Sequence, residues 1–92
     1  MKDLASQIAS MVEDKPDSTL TIRVVKDRLR MDFVVPWDKK ELRRSSEIVL
    51  SNLFRHRFPS IQVSKLLRKT EQDIDKILLS DPNYIEKYIG KD

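Results

Sequence analysis

The chain holds a single glycine, Gly90, in 92 residues. Two-residue β-hairpin turns require positive φ at one or both central positions, and glycine reaches that region at the least steric cost. A sequence with no glycine ahead of position 90 therefore reads as helical, with its elements separated by caps and prolines. The predicted fold class is all-α: a small helical bundle of five or six helices. The same scarcity argues against a glycine-built phosphate cradle. With no cysteine in the chain, disulfides and thiolate metal sites are excluded and a reducing compartment is permitted.

Ninety-two residues suffice for one domain with a modest core. Hydrophobic residues make up 39% and charged residues 36%, and apolar positions recur along the whole length, unlike a disordered chain. No stretch approaches the ~20 apolar residues of a membrane span. The opening "MKDLASQIASMVEDK" has neither a long apolar run nor a small-residue cleavage site. A soluble intracellular protein with no membrane partner is expected.

Helical spacing suggests the elements. Leu4, Ile8, Met11 and Val12 share one face of a short helix capped by Asp3, which "DKPDST" ends at Pro16. Thr21 can cap a second helix, "IRVVKDRLRM", with Ile22, Val25 and Leu29 inward and Arg23, Lys26 and Arg30 on another face. Its valines, with Val34 and Val35, would also suit a strand, and "FVV" reads as extended before a Pro36–Trp37 loop. Asp38 and Glu41 have capping-box spacing and open the longest expected helix, about residues 39 to 56, with Leu42, Ser46, Val49, Leu50 and Leu53 buried. Pro59 is expected to close it. Asp81–Pro82 then opens a last helix carrying Tyr84 and Tyr88, ended by Gly90.

Charge is uneven along this plan. The net charge is +3, yet residues 23 to 57 hold ten basic and five acidic groups. On a helix from 39 to 56, Lys40, Arg44 and Arg55 fall near one outward line, flanked by Lys39 and Arg43 and interrupted by Glu47. That line could track a phosphate backbone or be an ordinary solvated face.

Other motifs carry less. The span "VSKLLRKTEQDIDKILL" resembles the helix-turn-helix pattern of bacterial regulators, with a turn through Arg68 and Lys69 and a Thr70-capped second helix. That helix would expose Glu71, Asp73 and Asp75, which repel phosphates, so the motif reads as packing. His56 in "RHR" has no second histidine and no cysteine beside it, and no metal is expected. Ser45 and Ser46 read as helix surface or tight packing, with no oriented partner for nucleophilic catalysis. Phe33, Trp37, Phe54 and Phe58 could form a stacking platform for single-stranded nucleic acid. In a chain this small they read first as core, with Trp37 beside Pro36 the one to watch as a partner anchor.

The helix "L…I…MV", the segment "STLTIRVVKDRL", Phe33, Asp38 and the ending "IVLSNLF" together resemble the DEK C-terminal domain, found at the ends of chromatin proteins and in several multidomain eukaryotic proteins. The resemblance covers about residues 1 to 54 and implies a three-helix, winged-helix-related bundle, giving an expected unit of residues 1 to 56; residues 57 to 92 have no counterpart in it and read as a helical extension in the same compact unit. It also implies a nuclear location and a DNA or chromatin partner. The resulting expectation is a non-enzymatic nucleic-acid-binding module, with no cofactor and no small-molecule substrate. It would hold double-stranded DNA by phosphate contacts from Lys39, Lys40, Arg43, Arg44, Arg55 and Arg57, joined by Arg23, Lys26 and Arg30. The alternative is a protein-interaction module that meets an acidic segment with the basic line, or a partner through Trp37, Ile48, Tyr84 and Tyr88.

Overall fold

A computed structural model of the chain describes residues 3–88. Its elements run α1 (Leu4–Glu13), β1 (Thr19–Val25), β2 (Arg28–Trp37), β3 (Lys40–Val49), a short α2 (Leu50–Leu53), α3 (Pro59–Leu79) and α4 (Pro82–Tyr88). The three strands form one antiparallel sheet in the order β1-β2-β3. This α+β architecture overturns the expected all-α bundle and the three-helix core over residues 1 to 56. The hairpins are made without glycine. Lys26 takes φ 58° in the β1–β2 turn, and Asp38 and Lys39 take φ 53° and 64° in the β2–β3 turn. Left-handed φ costs an L-residue roughly 1–2 kcal/mol, less for aspartate, and pairing along the whole sheet offsets it.

The helix expected over residues 39 to 56 is β3 followed by α2. Residues four apart share a face in a helix and also in a strand, so Leu42 and Ser46 look alike in both readings. Val49 separates them. In the strand it pairs with Arg28 on the face opposite Leu42, which pairs with Val35. The second expected helix is likewise the β1–β2 hairpin, where Ile22 pairs with Met31 and Val24 with Leu29. Five of the seven residues of β1, TLTIRVV, are β-branched, which suits a pleated surface better than a helix.

The helices cover one face of the sheet. Met31, Phe33 and Val35 alternate onto that face and are buried, packing with Met11 of α1 and with Leu67, Ile74 and Leu78 of α3. Each fully buried large apolar side chain contributes about 1.5–3 kcal/mol. Two polar locks join α1 and the residues just after it to α3. Gln7 donates to the Ser64 carbonyl at 2.9 Å while the Ser64 hydroxyl donates to Gln7 Oε1 at 2.7 Å. Further along, the buried Lys15 ammonium meets Asp75 at 2.8 Å.

The helix-turn-helix expected over residues 63 to 78 is part of the single 21-residue helix α3. Pro59 opens that helix at its first turn, where its missing N–H costs nothing. Thr70 is not a cap. It is fully buried in mid-helix, donates to the Leu66 carbonyl at 2.9 Å and meets the Ser46 hydroxyl at 2.8 Å. That second bond docks α3 on β3. The caps of α1 and α4 follow the expected chemistry, since Asp3 accepts from the Ser6 amide at 2.8 Å and Asp81 from the Asn83 amide at 2.9 Å. Gly90, expected to end α4, lies outside the described residues.

Candidate functional site

The uncovered face of the sheet gathers Arg23, Arg28, Arg30 and Arg43 with Asp32, Glu41 and Glu47. Arg23 and Arg30 are direct cross-strand partners, an arrangement of like charges that is unfavourable by itself. Asp32 resolves it. It sits beneath them, 8% exposed, and accepts from Arg30 at 3.3 Å and from the Ser45 hydroxyl, with Arg23 at 3.9 Å. The Ser45 bond, followed by Arg30 and Arg23, holds the Asp32 carboxyl below the usual carboxylate range against the opposing effect of burial. Arg28 meets Glu47 at 2.6 Å and Arg43 meets Glu41 at 3.8 Å. The face is a charge network that satisfies itself, so its arginines offer little to an external anion.

At the Asp38–Lys39 end of the sheet, Trp37 packs against α4. Its ring centroid lies 5.1 Å from Tyr84 and 5.7 Å from Tyr88, and its indole N–H donates to Asp81 at 2.6 Å. That bond, then the Asn83 amide, lowers the Asp81 pKa, with Lys40 adding its charge. Lys87 sits 5.9 Å from the Trp37 ring and 5.3 Å from the Tyr88 ring. The tryptophan's polar handle is occupied, and its faces are shared with residues of its own chain.

The opposite end, roughly 30 Å away at ~3.3 Å per strand residue, is different. The Leu50 amide donates to the Asp27 carbonyl at 2.7 Å, which ties α2 to the β1–β2 turn. Leu53 is buried and anchors α2. The chain then turns through Phe54, Arg55, His56, Arg57 and Phe58, all exposed. The turn has defined backbone bonds: Phe54 N–H to Leu50, Arg55 N–H to Asn52, His56 N–H to Leu53, and Ile61 N–H to Phe58. Phe54 is 68% and Phe58 57% exposed, far more than a core aromatic. The Arg57 guanidinium stands 5.5 Å from the Phe58 ring centroid. Among the described residues, Lys26, Arg55 and Arg57 have no acidic partner within 4.0 Å, while Asp27 is engaged by Arg28 at 3.6 Å. The start of α3 has no side-chain cap, so its positive dipole end adds to the local potential.

The nine cations expected on one binding face are thus dispersed. Arg43 and Arg44, adjacent on a strand, point to opposite faces, with Arg44 opposite Phe33 and Arg43 opposite Val34. Lys39 and Lys40 lie at the Trp37 end, while Arg23 and Arg30 belong to the Asp32 network. Of the nine, Arg55 and Arg57 lie on the exposed turn and Lys26 on the β1–β2 turn that Leu50 ties to α2. Of the four residues expected in an apolar interface, Trp37, Tyr84 and Tyr88 come together and Ile48 does not, since it pairs with Leu29 toward the other end. Phe33 is core; Phe54 and Phe58 are not. Their exposure was signalled only by their setting, an aromatic–basic–aromatic run, FRHRF, directly before a proline. A groove between α1 and α3, bordered by Asp3, Asp14, Lys65 and Arg68, carries both signs of charge and selects for neither.

Comparison with protein-family models, curated proteins and solved structures finds no match to the chain.

Proposed function

We propose that the protein is a non-catalytic nucleic-acid-binding module that grips unpaired strands through the Phe54–Phe58 turn. The observation that supports this most is the union of two exposed phenylalanines with Arg55 and Arg57, which have no acidic partner within 4.0 Å among the described residues, on a turn whose backbone is held in place and tied through Leu50 to the neighbouring Lys26–Asp27 turn. Aromatic faces stack on any base, and each stacked base is worth about 1–3 kcal/mol, while cations on the same turn hold the phosphates. The backbone of the turn is already held by its own hydrogen bonds, so the ordering cost of binding falls on the side chains alone, about 0.5–1.5 kcal/mol for each one immobilised. Double-stranded DNA suits this turn less well, because a duplex hides the base faces on which Phe54 and Phe58 would stack.

The test is fluorescence anisotropy with a short labelled single strand and the matching duplex at two salt concentrations. The single strand should bind more tightly, and the affinity should fall with salt. An Arg55→Glu, Arg57→Glu double variant should reduce the salt slope by roughly 0.7 for each phosphate it no longer neutralises. A Phe54→Ala, Phe58→Ala variant should weaken binding at least about fivefold while leaving the salt slope alone. Absence of binding at low salt by the folded protein, or binding indifferent to both variants, would sink the reading.

A further inference from the structure

The two edges of the sheet are defended very differently. Five of the ten residues of β3 are charged, Lys40, Glu41, Arg43, Arg44 and Glu47, and α3 docks along it through the Ser46–Thr70 bond. On β1 there is one charge, Arg23, with no proline, lysine or bulge. Beyond its ladder with β2, β1 makes no backbone hydrogen bond among the described residues. Ile22, Val24 and Val25 are 37%, 61% and 41% exposed. A straight, β-branched, nearly uncharged edge is a template for adding another strand.

We infer that β1 pairs antiparallel with β1 of a second copy of this chain, joining two sheets into one of six strands. The strand's own residues specify the occupant and the register. Full overlap of the seven residues Thr19–Val25 places Ile22 opposite Ile22 of the second copy. Leu20 then faces the other copy's Val24, which lines up the helix-side apolar row across the junction. On the open face Thr21 meets the other copy's Arg23, and Thr19 meets Val25. Each arginine therefore opposes a threonine, with the two arginines only diagonal neighbours, about 7–8 Å apart. Each remains beside its own Asp32. Sliding the pair to centre on Arg23 would set like charges directly opposite each other and shorten the overlap. Charge and apolar pattern thus favour the same two-fold register. A foreign peptide would share the main-chain bonds but has no reason to match this pattern.

The chain has no cysteine, so one introduced thiol reports the register. Sedimentation velocity of the full chain should show a species of twice 10.8 kDa, and Val24→Lys should return it to monomer without changing its circular dichroism. Under mild oxidation, Ile22→Cys should cross-link the dimer, because opposed residues have Cα atoms ~4.5–5.5 Å apart. Val24→Cys, which faces Leu20 of the other copy, should not. A chain monomeric at all accessible concentrations overturns the inference. So does a dimer that survives Val24→Lys, or one that cross-links equally at both positions.

Discussion

At the Asp38–Lys39 end of the sheet, Trp37 is packed edge-on to Tyr84 and hydrogen-bonded to Asp81, while at the Lys26–Asp27 end Phe54 and Phe58 stand 68% and 57% exposed. Each end combines aromatic rings with cations. The first end is closed by its own chain, because the indole N–H has an acceptor and α4 supplies ring partners. At the second, Arg28 is shared by Asp27 and Glu47, and among the described residues no acid lies within 4.0 Å of Arg55 or Arg57. An aromatic residue's chemistry here depends on whether the chain returns to meet it.

The largest expected effect follows from breaking the closed end. Trp37→Ala removes a large ring from between β2 and α4 and leaves Asp81 without its indole donor. It should cost about 3 kcal/mol, the low end of the range for truncating a large aromatic. Phe54→Ala should change stability by less than ~0.5 kcal/mol, as surface substitutions do. Urea denaturation of the two variants reads the contrast directly. Equal losses would mean that Phe54 packs as Trp37 does, and the distinction between the ends would fail.

Acid should loosen the closed end at its own point. The Trp37 N–H, then the Asn83 amide, lowers the pKa of Asp81 in the folded chain. A lowered folded-state pKa means the stabilisation is complete above the unfolded value, ~3.9 for aspartate. It is lost as pH falls through the lower folded value. Fluorescence of Trp37, the chain's one tryptophan, should therefore stay constant from neutral pH to about pH 5 and change below the ordinary aspartate pKa. Asp81→Asn should remove that transition. Asp32 and Asp3 titrate in the same direction, so a transition that persists in Asp81→Asn would reassign it to one of them.

Two helix starts were legible in the sequence because their caps are local, whereas the caps expected at Thr21, Asp38 and Thr70 fall in a strand, a hairpin turn and mid-helix. Asp3, and Asp81 followed by Pro82, determine the first turns of α1 and α4 through bonds spanning two or three residues. The strands were not legible. Leu42 and Ser46 sit at a spacing common to both periodicities, and the hairpins that would have broken the tie turn through lysine and aspartate. Thr70 misled for a related reason, since its hydroxyl can cap a helix or bond back within one, and only Ser46 arriving from β3 decides between them. For the candidate site, Arg55 and Arg57 were legible as basic residues. The exposure of Phe54 and Phe58 had no mark beyond the FRHRF setting, because it depends on no element folding back over them.

The smallest effects come from the turns themselves, and they separate folding from binding most sharply. Lys26 and Lys39 each adopt positive φ, 58° and 64°, where a β-carbon costs roughly 1–2 kcal/mol. Glycine relieves that cost and gives back part of the gain through the entropy of its unfolded chain. Lys26→Gly and Lys39→Gly should each stabilise the fold by about 0.5–1 kcal/mol, read as a higher urea midpoint with an unchanged slope. Asp38→Gly should give less, because aspartate already tolerates the left-handed region. The two lysine variants lose the same charge and relieve the same strain at opposite ends of the sheet. Only Lys26→Gly removes a cation at the end of the sheet that carries the exposed phenylalanines, so it alone should weaken single-strand binding and reduce its salt slope by roughly 0.7. Equal losses in both variants would mean that net charge, and not the Phe54–Phe58 turn, governs the interaction.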